Sequence, residues 1–308
     1  MSTFTERDGP YAGYLFAHFV GGDHADAEQV YFALSEGPDP LRWRPLNAGR
    51  PALRATVGTG GARDPFLVRG PDGRVWCLAT DLSIHHGRDW THAMRHGSRS
   101  ILVWSTDDLV TWSPPQLLEI APPHAGDAWA PKAYFDPARG DFRILFSSVS
   151  YPDGDRTVPS YHRILQVRSR DFQTASAPEV YLERAGTDTI DLALLTAPDA
   201  VHRFFPDDGF VVHERGTDMD GVFTTVSTGI GRGTLERGEG PAVFTGLAGR
   251  TWYLFIDEFG GRGYIPFTTD DLRSGWTAAK DHLLPPNARH GSVLALTATE
   301  YARLARLE

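Results

Sequence analysis

One phrase recurs along this 308-residue chain and restricts what it can fold into. An apolar strand, a turn of Gly, Pro and Asp, and an aromatic-rich strand make up DPFLVRGPDGRVWCLAT (64–80). The same order returns in APKAYFDPARGDFRILFSS (130–148), DLALLTAPDAVHRFFPD (191–207) and EGPAVFTGLAGRTWYLFID (239–257). Short runs rich in Val, Ile, Phe, Tyr and Trp, bounded by turn residues, read as strands. Each phrase is followed by a second hairpin-like element: SILVWSTDDLVTW (100–112), HRILQVRSRDFQTAS (162–176), GVFTTVSTGI (221–230) and YIPFTTDDLRSGW (264–276). A fifth copy of that element, QVYFALSEGPDPLRW (29–43), follows YLFAHFV (14–20), and HGSVLALT (290–297) supplies its missing first strand.

The repeats start near 64, 131, 191, 239 and 290, at intervals of 67, 60, 48 and 51 residues. A period near 50 with about four strands per unit is the mark of a β-propeller. The expected fold is all-β: a five-bladed β-propeller, residues 1–308 as a single domain, its ring closed by the N- and C-terminal strands. Closure leaves no open sheet edge. A pair of β-sandwiches would also supply many strands, but not one strand–turn–strand phrase four times. The one expected helix is TATEYARLARLE at the C-terminus, capped by Thr297 or Thr299.

Composition narrows the function. Acidic residues exceed basic ones, 39 against 30, and nearly all positive charge is Arg, Lys132 and Lys280 being the two lysines. A nucleic-acid partner needs a basic stripe, which is missing. The single cysteine, Cys77, excludes a disulfide framework and a Cys-based zinc site, and reads as strand packing. No run approaches the ~18 apolar residues of a membrane span, and MSTFTERDGPYAG lacks the apolar core of a signal peptide. The expectation is a cytoplasmic protein with no membrane partner. Oligomeric state leaves no trace in the sequence.

In a propeller the inner strands run parallel, so residues at their starts gather at one end of the axis. That position reads Asp64, the Ala130–Pro131–Lys132 corner, Asp191, Glu239 and His290. Asp64 and Asp191 even share an offset, seven residues before Pro71 and Pro198. Like charges in a partly desolvated pocket resist joint ionisation, so one carboxyl keeps its proton while another stays ionised. Glycoside hydrolysis needs that pair, an acid for the leaving oxygen and a base for water. Capping of turns, or pairing with Arg63 and Arg289, is the alternative use of each carboxylate.

At these residues the chain resembles glycoside hydrolase family 43, the five-bladed arabinofuranosidases and xylosidases. The resemblance rests on RDPFLVRGPDG (63–73), WAPKAYFDPARG (129–140), TIDLALL (189–195), GEGPAVF (238–244) and RHGSVL (289–294), in the family's order. It implies Asp64 as the general base, Asp191 as the residue that tunes and orients the acid, and Glu239 as the general acid. It places His290 on the axis with a water or a structural calcium, and implies no required cofactor. The implied reaction is inverting, with base and acid roughly 6.5–9.5 Å apart. The implied substrate is an oligosaccharide or small glycoside losing a terminal sugar, α-L-arabinofuranose first, with β-xylosides and β-D-galactofuranosides as alternatives. Lys132 departs from the acidic or amide residue that family members often carry after WAP.

Trp129, Trp90, Phe66, Arg289 and His290 are the candidate sugar-binding side chains, aromatic rings suiting the apolar face of a sugar. The segment 80–98 carries His85, His86, His92 and His96 and reads as a loop between blades rather than a metal site. STDDLVTW (105–112) resembles a sialidase Asp-box and reads as a turn; GIGRG (229–233) opens no helix, and DMDG (218–221) lacks the distal Glu of a calcium loop. Two other functions fit the same residues. A glycoside phosphorylase would turn Arg63, Arg289 and Lys132 on phosphate, and a non-catalytic propeller would only bind glycans. A fructosidase would carry an N-terminal Asn-Asp-Pro phrase, which is absent.

Overall fold

The computed structural model describes residues 10–22, 24–85 and 89–307. His86, one of the four histidines of the 80–98 segment, lies outside them. Among the described residues, twenty strands and two short α-helices follow in order. Three strands come first, β1 (Tyr11–Phe19), β2 (Tyr31–Glu36) and β3 (Asp39–Pro45). Then come β4 (Ala62–Arg69), β5 (Val75–Asp81), helix α1 (Trp90–His96), β6 (Ser100–Thr106) and β7 (Gln116–Glu119). The next four are β8 (Trp129–Asp136), β9 (Asp141–Ser148), β10 (Arg163–Ser169) and β11 (Glu179–Leu182). They are followed by β12 (Ala193–Ala197), β13 (Ala200–Asp207), β14 (Phe210–Gly216) and β15 (Thr224–Ile230). The last are β16 (Gly238–Thr245), β17 (Trp252–Glu258), β18 (Gly263–Thr269), β19 (Thr277–Ala278), β20 (Arg289–Thr297) and α2 (Ala298–Leu304).

These strands make five four-stranded sheets, the five blades that the repeat predicts: β4–β7, β8–β11, β12–β15, β16–β19, and β20-β1-β2-β3. The last sheet carries the expected closure, with the C-terminal strand hydrogen-bonded to the N-terminal one. The described residues fall into two compact units, one drawn from Met1–Phe16, Phe32–Gly49 and Leu192–Glu308, the other from Ala17–Tyr31 and Arg50–Asp191. Among the described residues no helix is long and apolar enough to cross a membrane.

Each unit packs its blades through alternate strand positions, which point to opposite faces. In the second unit Trp76 of β5 meets Phe142 of β9 edge-on at 5.4 Å, and Phe172 closes the triangle at 4.6 Å from Phe142. Leu78, Ile101, Ile144, Phe146 and Val167 complete that core. Phe66, a candidate sugar contact, packs against this core and against Tyr134 at 5.6 Å. In the first unit Phe16, Trp43, Phe244, Phe255 and Tyr264 form one cluster and Phe204, Leu254, Ile256 and Phe267 another. Cys77 is fully buried in β5, as strand packing requires.

The Asp-box-like phrase is a turn, and it recurs. Thr106 Oγ1 accepts from the Leu109 amide at 2.9 Å and Asp108 Oδ1 from that of Thr111 at 2.7 Å, with Leu109 at φ 63°. Ser169 and Asp171 close the same turn after β10, with Phe172 at φ 56°, and Thr269 and Asp271 close its relative after β18. Two details differ from the sequence expectation. The blade of 191–230 has an additional strand, β14, ahead of the GVFTTVSTGI element. Residues 90–96 form α1, whose cap Asp89 accepts from the His92 amide at 2.7 Å; a single buried residue, Ala93, leaves the helix no apolar stripe to be read. At the C-terminus Thr297 is the cap, in a reciprocal capping box with Glu300.

The aromatic triangle fixes an expected cost. Phe142→Ala should lower unfolding free energy by ~3–5 kcal/mol, the range for deleting a fully buried aromatic, whereas Thr297→Ala should cost about 1 kcal/mol through loss of the cap. Urea unfolding followed by tryptophan fluorescence measures both; an effect of Phe142→Ala no larger than that of Thr297→Ala contradicts the packing described.

Candidate active site

Every inner strand opens on a residue in left-handed backbone. These are Asp64 (φ 54°), Ala130 (φ 48°), Asp191 (φ 59°), Gly240 (φ 55°) and His290 (φ 21°). In β4, β8 and β16 the kink is a bulge, the register slipping between Arg63 and Phe66, Trp129 and Lys132, and Glu239 and Ala242. A bulge leaves one residue unpaired and re-aims its neighbours, and proline fits there because it has no amide to donate. Pro65, Pro131 and Pro241 each follow the kink. Asp and His tolerate positive φ better than most residues. Glu239 therefore stands one position earlier than its reading in the repeat: Gly240 matches Asp64 and Asp191, while Glu239 matches Arg63, Trp129 and Arg289.

The second unit carries Asp64 and Asp191. Asp64 Oδ2 accepts from Thr80 Oγ1 at 2.6 Å, and Thr80 Oγ1 accepts from the Ala130 amide at 2.8 Å, tying two kinks together. Asp191 is buried, and its amide donates to Ser147 Oγ at 3.1 Å. Lys132 is also buried, and Nζ donates to the Asp191 carbonyl at 3.4 Å. Burial lowers the Lys132 pKa, and the charges of Asp191 and Asp64 oppose that. Lys132 thus belongs to the carboxylate cluster.

An aromatic wall belongs to the same unit. Trp90, 43% exposed, meets Trp129 edge-on at 6.0 Å, and Arg63 lies 5.1 Å from the Trp90 ring. Arg63 is anchored by buried Glu28 at 2.9 Å. Trp129 stacks on His162 at 5.0 Å. Nε2 of His162 lies 2.9 Å from buried Asp127 and Nδ1 lies 3.0 Å from Asp188. Burial alone would depress this imidazole, yet the two carboxylates outweigh it and hold its pKa up at about 10. The ring beneath Trp129 is a cation throughout the neutral range.

The first unit carries Glu239 and a partner that the repeat does not reveal. Asp257, fully buried on β17, is paired in register with Glu239. Arg289 joins them, Nε donating to Asp257 Oδ2 at 2.9 Å and Nη2 to Glu239 Oε1 at 3.1 Å. The His290 amide also donates to Asp257, at 3.4 Å. Burial raises the Asp257 pKa, against the pull of Arg289 and His290. Tyr264 fixes both kinks, its hydroxyl donating to the Gly240 carbonyl at 2.8 Å and accepting from the Gly291 amide at 2.7 Å. Gly240 is required twice over: φ is positive, and a Cβ would lie 1.7 Å from His290 Cδ2. Glu239, Asp257 and His290 offer ligand atoms within 4.8 Å of one another. The guanidinium bonded to both carboxylates occupies the place of their counter-ion, so these residues do not fit a resident calcium while Arg289 is there. The signal for Asp257 was the acid ending the apolar run YLFID, which alone does not distinguish a site from a turn.

A family model described as a glycosyl hydrolase family 43-related "probable glycosyl hydrolase domain" matches residues 9–302. The chain belongs to this family. Its members' class is glycosidase, and the all-β five-bladed propeller is the fold of its structural neighbours. A thermostable family-43 glycoside hydrolase superposes with a TM-score of 0.52 at 16% identity, covering 78% of this chain and 81% of that one. The exo-beta-1,3-galactanase of Phanerochaete chrysosporium, solved with galactose, gives 0.52 at 14%, covering 75% and 53%. An alpha-L-arabinofuranosidase of Bifidobacterium longum subsp. longum is 28% identical over 213 residues, 64% of this chain. The aligned region spans 20% of that longer relative.

Breaking the Arg289 contacts in this family 43-related chain leaves Asp257 buried without its cation. Arg289→Met should cost ~3–5 kcal/mol at pH 7. Asp257 has a raised folded pKa, so its protonated form adds stability below its unfolded pKa that is lost as pH rises through the folded value. Removing Arg289 raises that value further, so the deficit against wild type should shrink from pH 7 to pH 5. Chemical denaturation at both pH values tests this; a deficit that is constant or grows on acidification contradicts it.

Proposed function

We propose that the chain, residues 1–308 acting as one catalytic domain, is an exo-acting, inverting glycosidase that releases a terminal sugar by direct attack of water. The observation that carries the reading is that Asp64 and Asp191 are the kink residues opening two inner strands and Glu239 immediately precedes the kink of a third, each with its own positioning contacts. Asp64, held by Thr80 and in the field of Lys132, acts as the base that deprotonates water. A nearby ammonium favours the ionised carboxylate, which is what a base requires. Asp191 shares Lys132 and orients the acid. Glu239 is the acid. Glu239 and Asp257 share one guanidinium, so ionising both leaves an excess negative charge that one proton on the pair removes, and in this reading Glu239 is the member that delivers it. That proton passes to the leaving oxygen, the water oxygen bonds to the anomeric carbon from the opposite face, and Asp64 takes the water proton.

The preferred substrate is a terminal α-L-arabinofuranoside, in keeping with the activity named for the Bifidobacterium relative. Trp90 and Trp129 receive the apolar face of the sugar, with β-xylosides and β-D-galactofuranosides as the alternatives for the same wall. Hydrolysis is favoured over phosphorolysis because the arginines a phosphorylase would offer are engaged, Arg63 with Glu28 and Arg289 with Asp257 and Glu239.

Glu239→Gln and Asp64→Asn should each lower kcat by at least ~100-fold, the contribution of a general acid or base, on the best of the aryl α-L-arabinofuranoside, β-xyloside and β-D-galactofuranoside. Proton NMR of the first-formed sugar should show inverted configuration. Turnover retained in both variants overturns the assignment. Removing the ammonium raises the Asp64 pKa, so Lys132→Met should move the acidic limb of the kcat/KM profile to higher pH; an unmoved limb shows that Lys132 does not act on the base.

A further inference from the structure

The first unit holds a cavity of about 490 Å³ that takes no part in the reading above, bounded by Asp199, His202, Arg215, Thr245, Trp252 and Arg273 among others. The volume is that of a small-molecule site. Its position separates it from the carboxylates. Thr245 lies six residues beyond Glu239 on β16, roughly 20 Å along an extended strand, and Asp199 sits in the β12–β13 hairpin, at the opposite end of β12 from Asp191. A single sugar unit held here does not touch Glu239.

The chemistry of the walls narrows the ligand. Asp199 Oδ2 accepts from Arg215 Nη2 at 3.2 Å and from Arg273 Nη2 at 3.0 Å. With Asp271 also on the rim, two carboxylates face two guanidiniums, and the charge balances. An anion or a cation finds no surplus of the opposite sign. His202 adds no charge, because burial and then Arg215 lower its pKa. It hydrogen-bonds through Nδ1 to His213 Nε2 at 2.8 Å, and Trp276 donates its indole N–H to His213 Nδ1 at 3.4 Å. Burial pushes His213 down to about 3, so it is neutral and its single hydrogen is on Nε2. That hydrogen is given to His202 Nδ1, and His202 must then carry its own on Nε2, a fixed donor. Carboxylate acceptors, guanidinium donors, a fixed imidazole donor and an indole match vicinal hydroxyls and an apolar C–H face together. A neutral sugar has both.

We infer that this cavity is a second, non-catalytic carbohydrate site that holds a further part of a glycan whose terminal sugar is the one cleaved. The inference rests on the glycosidase reading of the chain. A second contact raises the effective concentration of polymer at the protein without altering the chemistry on a small glycoside.

Asp199→Asn keeps the shape and removes the charge, and Arg273→Ala trims a side chain that is 71% exposed, so both should fold. Affinity electrophoresis through gels containing arabinan, arabinoxylan or β-1,3-galactan measures retention. Wild type should be retarded by at least one polymer, and each variant should bind it at least about fivefold more weakly, as loss of a charged hydrogen bond predicts. Hydrolysis of the aryl glycoside should stay within twofold of wild type. Equal retention of wild type and both variants, or retention of none, overturns the site. A failure of the glycosidase reading looks different: no aryl glycoside is cleaved, while retention still depends on Asp199 and Arg273.

Discussion

The reversal of φ at the start of each inner strand is the constraint on which the candidate site depends. Regular strand geometry would alternate successive side chains between two faces. A left-handed residue breaks the alternation and lets adjacent positions be re-aimed. Gly carries that conformation without penalty, Asp and His at modest cost, and Ala130 at a cost of order 1 kcal/mol or more. Thr80 and Tyr264 hold the kinks from the neighbouring strands, so the strain is distributed over hydrogen bonds that belong to the sheets themselves.

One charge ratio is repeated across the protein. Lys132 lies between Asp64 and Asp191, Arg289 between Glu239 and Asp257, and His162 between Asp127 and Asp188. Each is a single cation shared by two carboxylates in surroundings that are largely buried. An isolated buried charge is expensive, and full neutralisation would remove the asymmetry that proton transfer needs. Asp199 has the inverse arrangement, one carboxylate between two arginines.

The blades were legible because strand, turn and aromatic strand repeat in order, and the sheet topology follows that order. Asp64, Asp191 and Glu239 were legible as acids beside turn residues at repeat starts. The one-residue offset of Glu239 was also present in the sequence, visible once Pro65, Pro131 and Pro241 are aligned instead of the acids. Asp257, Thr80 and Glu28 were not legible as partners. Each meets its neighbour through cross-strand register or a loop, and nothing local marks the pairing. Strand β14 escaped because VVHERG reads as polar, its His213 being buried against a second histidine.

The turns after β6, β10 and β18 are each closed by a hydroxyl and a carboxylate from within a few residues. Such hairpins can nucleate from local sequence, with little loop entropy to overcome. The pairing of β20 with β1 is the opposite case, joining segments from the two ends of the chain. Loop closure over that span comes late and slowly. Assembly of this architecture is therefore governed kinetically by its seam, and a polypeptide still lacking its last twenty residues would carry one sheet with an unprotected margin.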